Sequence, residues 1–74
     1  MRRIVGENVK RARTAAGMTQ EQLAERSGFS QQYLSGLESG KRNPTIVTIY
    51  EIAVALGVPH LALLDPEANW SLPG

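Results

Sequence analysis

Apolar positions recur at helical spacing along this chain, and glycines at 17, 28, 40 and 57 with prolines at 44, 59 and 66 cut it into five short pieces. Val5, Val9, Ala12 and Ala16 are three or four residues apart, which predicts a first helix over about 4–16, stopped by Gly17. Thr19 opens a second helix, and Gln22 three residues on completes a capping-box pattern. Its inner face is Leu23 and Ala24, and it ends near Ser27. Ser30 caps a third helix, with Leu34, Leu37 and Tyr33 as its buried stripe and Gly40 as its end. Thr45 caps a fourth, whose Ile46, Ile49, Ile52, Ala53 and Leu56 are expected to face inward until Gly57. Pro59 suits the first turn of a last short helix carrying Leu61 and Leu64. The β-branched residues at 45–49 suit a strand by composition, but the flanking caps and the spacing favour helix. From Pro66 to Gly74 the chain is polar and bracketed by proline, and an irregular tail is expected.

This pattern describes an all-α, compact five-helix domain over residues 1–65 with a tail at 66–74. At 74 residues, 42% of them hydrophobic, one small core is the upper bound. There is no cysteine and one histidine, so neither a disulfide nor the usual nitrogen and sulfur ligand set of zinc can be assembled. No metal, cofactor or small-molecule ligand is expected. A Ser-His-Asp or Cys-His engine would depend on His60 alone, which stands beside Pro59 with no serine or cysteine nearby, so no enzymatic activity is expected. The N-terminus starts basic but turns polar at once, and no apolar run reaches the eighteen residues of a membrane span. The expected location is the cytoplasm. Asn69-Trp70-Ser71, a glycosylation pattern, then lacks a secretory context.

Charge changes the picture modestly. All eight Lys and Arg lie in residues 1–42 against four Glu, a local charge of +4, whereas residues 43–74 carry three acids and no base. One end of the domain can face an anionic partner while the other repels it. Ordinary solvated surface accounts for these charges equally well, so charge alone does not name the partner.

Two helices of about eight residues joined by a three-residue turn with glycine first have the geometry of a helix-turn-helix. Gly28 can take the positive φ of the turn, and the small Ala24 permits a close crossing. The stretch from Thr19-Gln20-Glu21-Gln22-Leu23-Ala24 through Ser27-Gly28-Phe29-Ser30-Gln31-Gln32-Tyr33-Leu34 to Gly40-Lys41-Arg42-Asn43-Pro44 resembles the phage-repressor and Cro-type, or Xre-like, helix-turn-helix family. The resemblance extends from about residue 6 to 64, with the motif itself at about 20–39.

The resemblance implies five α-helices, with the second across the DNA backbone and the third in the major groove. It implies a phosphate contact for Gln20, at a helix N-terminus where free N–H groups favour an anion. Gln31 and Gln32 face away from the Leu34/Leu37 stripe, and a glutamine amide can pair bidentately with adenine. Ser35 and Gly36 lie one turn further along the same face. Gly36 departs from the family pattern, where a longer polar or basic side chain often stands. A glycine inside a helix costs roughly 1 kcal/mol relative to alanine, so close approach to DNA and relaxed reading are the two explanations it invites. Lys41, Arg42 and Asn43 resemble the family's phosphate-contacting loop. Arg13 and Glu38 match a pair that forms a structural salt bridge in the family.

Other patterns are weaker. Gly36-Leu37-Glu38-Ser39-Gly40-Lys41 has three residues between its glycines where a P-loop has four, and no Ser or Thr follows the lysine. Glu21 and Glu25 share one helix face and read as solvated surface. Met18 reads as core and His60 as surface.

The expected function is therefore a sequence-specific double-stranded DNA-binding transcription regulator, a repressor, reading the major groove with its third helix. A protein-interaction module on the same fold, such as the antitoxin of a toxin–antitoxin pair, is the alternative; it would have no need of Gln31, Gln32 or the 41–43 loop. A homodimer is expected, since one helix-turn-helix reads only a few base pairs. Val47, Tyr50 and Val54 form a second apolar stripe on the fourth helix, and with Leu61, Leu64 and Trp70 they are the candidate interface. In the competing arrangement the tail folds back within one chain and Trp70 covers Val47 and Tyr50.

Overall fold

A computed structural model describes residues 2–67 of the chain. Four α-helices, α1 (Arg2–Ala15), α2 (Gln20–Ser27), α3 (Gln31–Glu38) and α4 (Ile46–Leu56), are followed by a 3₁₀ helix, His60–Leu64, and no strand occurs among the described residues. The caps explain the boundaries of the short elements. Thr19 Oγ1 accepts from the Gln22 N–H while the Gln22 side chain accepts from the Thr19 N–H, a closed capping box. The hydroxyls of Ser30 and Thr45 cap α3 and α4 by accepting from the amides of Tyr33 and Thr48, without the reciprocal half of the box.

The core is drawn from every element: Val5, Val9 and Ala12 of α1, Leu23 of α2, Leu34 and Leu37 of α3, Ile49, Ile52, Ala53 and Leu56 of α4, and Leu63. Packing α1 on α3 requires a close approach at Gly6. A Cβ built there would run into the carbonyl oxygen of Leu37 and lie 3.2 Å from that of Glu38, so only glycine lets the last turn of α3 sit against α1. The 3₁₀ helix is fixed to α1 by Asn8, whose buried amide donates to the carbonyl oxygens of Leu63 at 3.0 Å and Asp65 at 2.8 Å.

The structure departs from the sequence-based expectation at several places. The fifth α-helix is a 3₁₀ turn. Its few residues between Pro59 and Pro66 are bonded from Ala62 N–H back to the Pro59 carbonyl, an i→i+3 step, because the segment is too short to settle into an α-helical ladder. That tighter winding buries Leu63, leaves Leu61 66% exposed and packs Leu64 only partly against the core. Ile46 is 71% exposed although it continues the Ile49 spacing. It occupies the first turn of α4, where side chains lean toward the helix N-terminus and so project past the packed elements. Ala16 lies beyond the end of α1 and is exposed. Of the expected tail, residues 68–74, Trp70 among them, lie outside the described residues. No helix of the described residues is long and apolar enough to cross a membrane.

Candidate nucleic-acid interface

The turn between α2 and α3 sets the geometry of the site. Gly28 adopts φ 82°, ψ 3°, and its N–H returns to the Ala24 carbonyl at 2.9 Å. This left-handed conformation is costly for any residue with a Cβ and free for glycine. Phe29 follows and anchors the turn: it packs against the core and stacks on Tyr33, with ring centroids 5.2 Å apart. Its role was not singled out from sequence, although an aromatic residue inside a turn between two polar helix ends is a signal for such an anchor.

Helix α3 then starts with Gln31 and Gln32, both exposed, while Leu34 and Leu37 are completely buried beneath it. Ser35 is exposed and Gly36 half-buried on the outward side. The polar side chains singled out for base contact thus stand in solvent on one face of a helix whose other face is held in the core.

A polar junction fixes α3 against α1 and α2. Arg13 Nε donates to Glu38 Oε2 at 2.7 Å and Nη2 to Oε1 at 3.1 Å, a bidentate pair that is largely buried, with the Glu38 side chain 4% exposed. The remaining Arg13 nitrogen, Nη1, donates to the Met18 carbonyl at 2.8 Å, which holds the turn before α2. Gln20 Nε2 donates to Glu38 Oε1 at 3.1 Å. The carboxylate of α3 is thereby bonded to α1 and α2 at once, and Gln20 at the head of α2 is held in one orientation.

Over this junction the surface forms a hollow of about 210 Å³ bordered by Lys10, Arg13, Gln20, Ser35, Glu38 and Ser39. It brings Gln20 and Ser35 onto one continuous surface. It also adds Lys10, which sequence reading passed over. The available signal was its spacing: three residues before Arg13, it lies on the same side of α1.

The loop after α3 carries Lys41, Arg42 and Asn43, all exposed. The Lys41 N–H donates to the Gly36 carbonyl at 2.9 Å, closing the end of the helix around Gly40. Arg42 does not extend away from the protein. Its guanidinium carbon lies 5.5 Å from the centre of the Tyr33 ring, and its stem passes over Gly36.

On α4 the stripe of Val47, Tyr50 and Val54 is exposed, Tyr50 to 55%, and Leu61 continues it. His60 meets the Tyr50 ring edge-on with centroids 5.9 Å apart. Leu64, placed with this group from sequence, turns partly into its own core instead.

A family model described as helix-turn-helix matches residues 9–63. An uncharacterised HTH-type transcriptional regulator of Sinorhizobium fredii, y4dJ, is 59% identical over 89% of this chain and 86% of its own length. The immunity repressor protein of Bacillus phage phi105 is 36% identical over 85% of this chain, which spans 44% of that repressor. Among solved structures, the restriction-modification controller protein C.Esp1396I, crystallised as a tetramer in complex with its natural 35 base-pair operator, is 35% identical and aligns with a TM-score of 0.78 over 85% of this chain and 83% of that one. With the turn, the exposed polar face of α3 and the family match all in agreement, this chain belongs to the helix-turn-helix family of transcriptional regulators.

Proposed function

We propose that this protein is a sequence-specific regulator that binds double-stranded DNA and represses transcription, with α3 in the major groove. One observation carries the reading: Ser35 of α3 and Gln20 at the head of α2 border a single hollow. In a groove-docked arrangement α2 meets the phosphate backbone as α3 meets the bases, and such a continuous surface is what that docking needs. Gln31, Gln32 and Ser35 are the base-reading residues in this proposal; Gly36, on the same face, is covered by the Arg42 stem and offers no backbone approach. Gln20, Lys41 and Asn43 contact phosphates, and Lys10 joins them from α1. Arg42, taken from sequence as a phosphate contact, is treated separately below because of its position over Gly36. Arg13 and Glu38 hold the frame, and no catalytic step is assigned to any residue.

A second copy completes the binding unit. Two helix-turn-helix motifs about 34 Å apart reach successive major grooves on one DNA face, and the exposed Val47, Tyr50, Val54 and Leu61 supply an apolar face for the symmetric contact. That same face favours the second reading, a protein-interaction module such as an antitoxin. The two differ in what they ask of Gln31 and Gln32. In vitro selection of bound duplexes tests the proposal: a recurring half-site with steep salt dependence is expected. Binding that ignores salt, or no enrichment of any duplex, overturns it.

A further inference from the structure

The sequence of α3 leaves a gap that the following loop fills. Gly36 lies one turn after Gln32 on the outward face, and as a helical glycine it costs about 1 kcal/mol relative to alanine. A Cβ at that position would meet Arg42 Cγ at 3.1 Å and Nε at 3.3 Å. The place of a side chain at 36 is therefore already taken by Arg42. The guanidinium beyond it rests 5.5 Å from the Tyr33 ring centre, and Tyr33 in turn stacks on Phe29 at 5.2 Å with 27° between the rings. Phe29, Tyr33 and Arg42 follow one another along the flank of α3, the two rings stacked and the guanidinium in cation–π contact above them.

A phosphate contact needs none of this. The guanidinium fork fits a phosphate as well as a base, but phosphates border the groove, where the neighbouring Lys41 offers a charge on a flexible stem, whereas Arg42 fills the place of a side chain on the outward face of α3. A ring face beneath the cation takes up none of the guanidinium's N–H donors. Those donors form the fork that matches O6 and N7 of guanine in the major groove.

We infer that Arg42 is a base-reading residue that recognises guanine, seated on α3 by the Tyr33 ring and the missing side chain of Gly36. Tyr33 and Gly36 act as positioning residues. The inference rests on the DNA-binding reading above and specifies the residue that replaces the absent side chain at position 36.

The test is selection of bound duplexes with the wild type, R42K, R42A, Y33L and Y33F, followed by titration against the selected site, its single-base variants and an unrelated duplex. R42K is expected to lower the preference for one guanine about 10- to 100-fold while its salt slope and its affinity for the unrelated duplex stay unchanged. Y33L is expected to weaken the preference at that same position, and Y33F, which keeps the ring, to restore it. R42K with wild-type preferences at every position overturns the inference. So does R42A weakening all duplexes alike with a salt slope reduced by about one, the signature of a phosphate anchor. Because Arg42 is exposed, R42K and R42A decide the matter even where Y33L lowers stability. A wild type that selects no sequence overturns the proposed function itself, a different outcome from selection that is indifferent to Arg42.

Discussion

Gln31 and Lys41 illustrate at the residue scale why two exposed polar side chains a few residues apart should respond differently to removal. A glutamine amide carries a donor and an acceptor in fixed relation and can match one base edge, whereas an ammonium on a long stem recognises only negative charge. Gln31→Ala or Gln32→Ala is expected to alter the preferred base at a defined position and to cost about 1–3 kcal/mol on the best site. Lys41→Ala should weaken every duplex to a similar degree and reduce the salt slope by about one; titrations of both variants at several salt concentrations separate the two effects. Gly6 makes a different demand. Its Cβ would strike backbone oxygen, which cannot swing aside as a side-chain end can, so Gly6→Ala is expected to lower stability by about 1–3 kcal/mol, measurable by thermal or urea unfolding. The base-reading candidates were legible in the sequence because they follow an N-cap and oppose a leucine stripe. The seat of Arg42 was not, since it depends on a loop doubling back over the helix before it, and no periodicity records that. Gly6 was equally silent, because its neighbour in space is some thirty residues away in the chain.

At the scale of elements, α2 and α3 have eight residues each, well below the length at which a helix holds in water without support. Their caps and their shared carboxylate do that work. Thr19→Ala removes the acceptor for the Gln22 N–H and should cost about 0.5–2 kcal/mol, seen as a lower melting temperature that Thr19→Ser largely restores. Glu38→Ala is more severe. It strands the Arg13 guanidinium, whose side chain is 14% exposed, and frees the Gln20 amide, and losses from breaking a buried pair are about 3–5 kcal/mol. Caps were the most legible features of the chain, since a hydroxyl residue ahead of an apolar run satisfies free amides by purely local geometry. The last element was misjudged for a complementary reason. Pro59 marks a start, but the segment before Pro66 is too short for an α-helical ladder, and the bonds from Asn8 that fix it to α1 come from the far end of the chain, where no local pattern points.

For the whole molecule, basic residues and exposed apolar surface fall in different parts of the chain. Bases are confined to residues 1–42, and the exposed apolar stripe belongs to α4 and the 3₁₀ helix. Tyr50→Glu places a charge in the middle of that stripe and is expected to shift the protein toward monomer in sedimentation, with half-site binding retained and cooperative full-site binding lost. A wild type that stays monomeric at high concentration and binds DNA one-to-one would count against the dimer. The stripe was visible as i, i+3, i+7 spacing. The exposure of Ile46 was not, because its spacing fits the inward face, and only the position of the packed neighbours decides which side it takes.

The pair of hydrogen bonds from Asn8 has a consequence in time as well as in space. During synthesis Asn8 emerges early, yet one of the carbonyl groups it holds, that of Asp65, lies 57 residues further on. A buried amide left without acceptors costs about 1–3 kcal/mol, and closing so long a loop is a late, entropy-limited event. Helices α2 and α3 and the Arg13–Glu38–Gln20 junction between them lie wholly before that point in the chain; what waits for it is the packing of the 3₁₀ helix on α1. A product cut short before the last turn is therefore expected to keep every residue of the α2–α3 junction yet to unfold at a lower temperature, since α1 loses these two acceptors and the packing of Leu63.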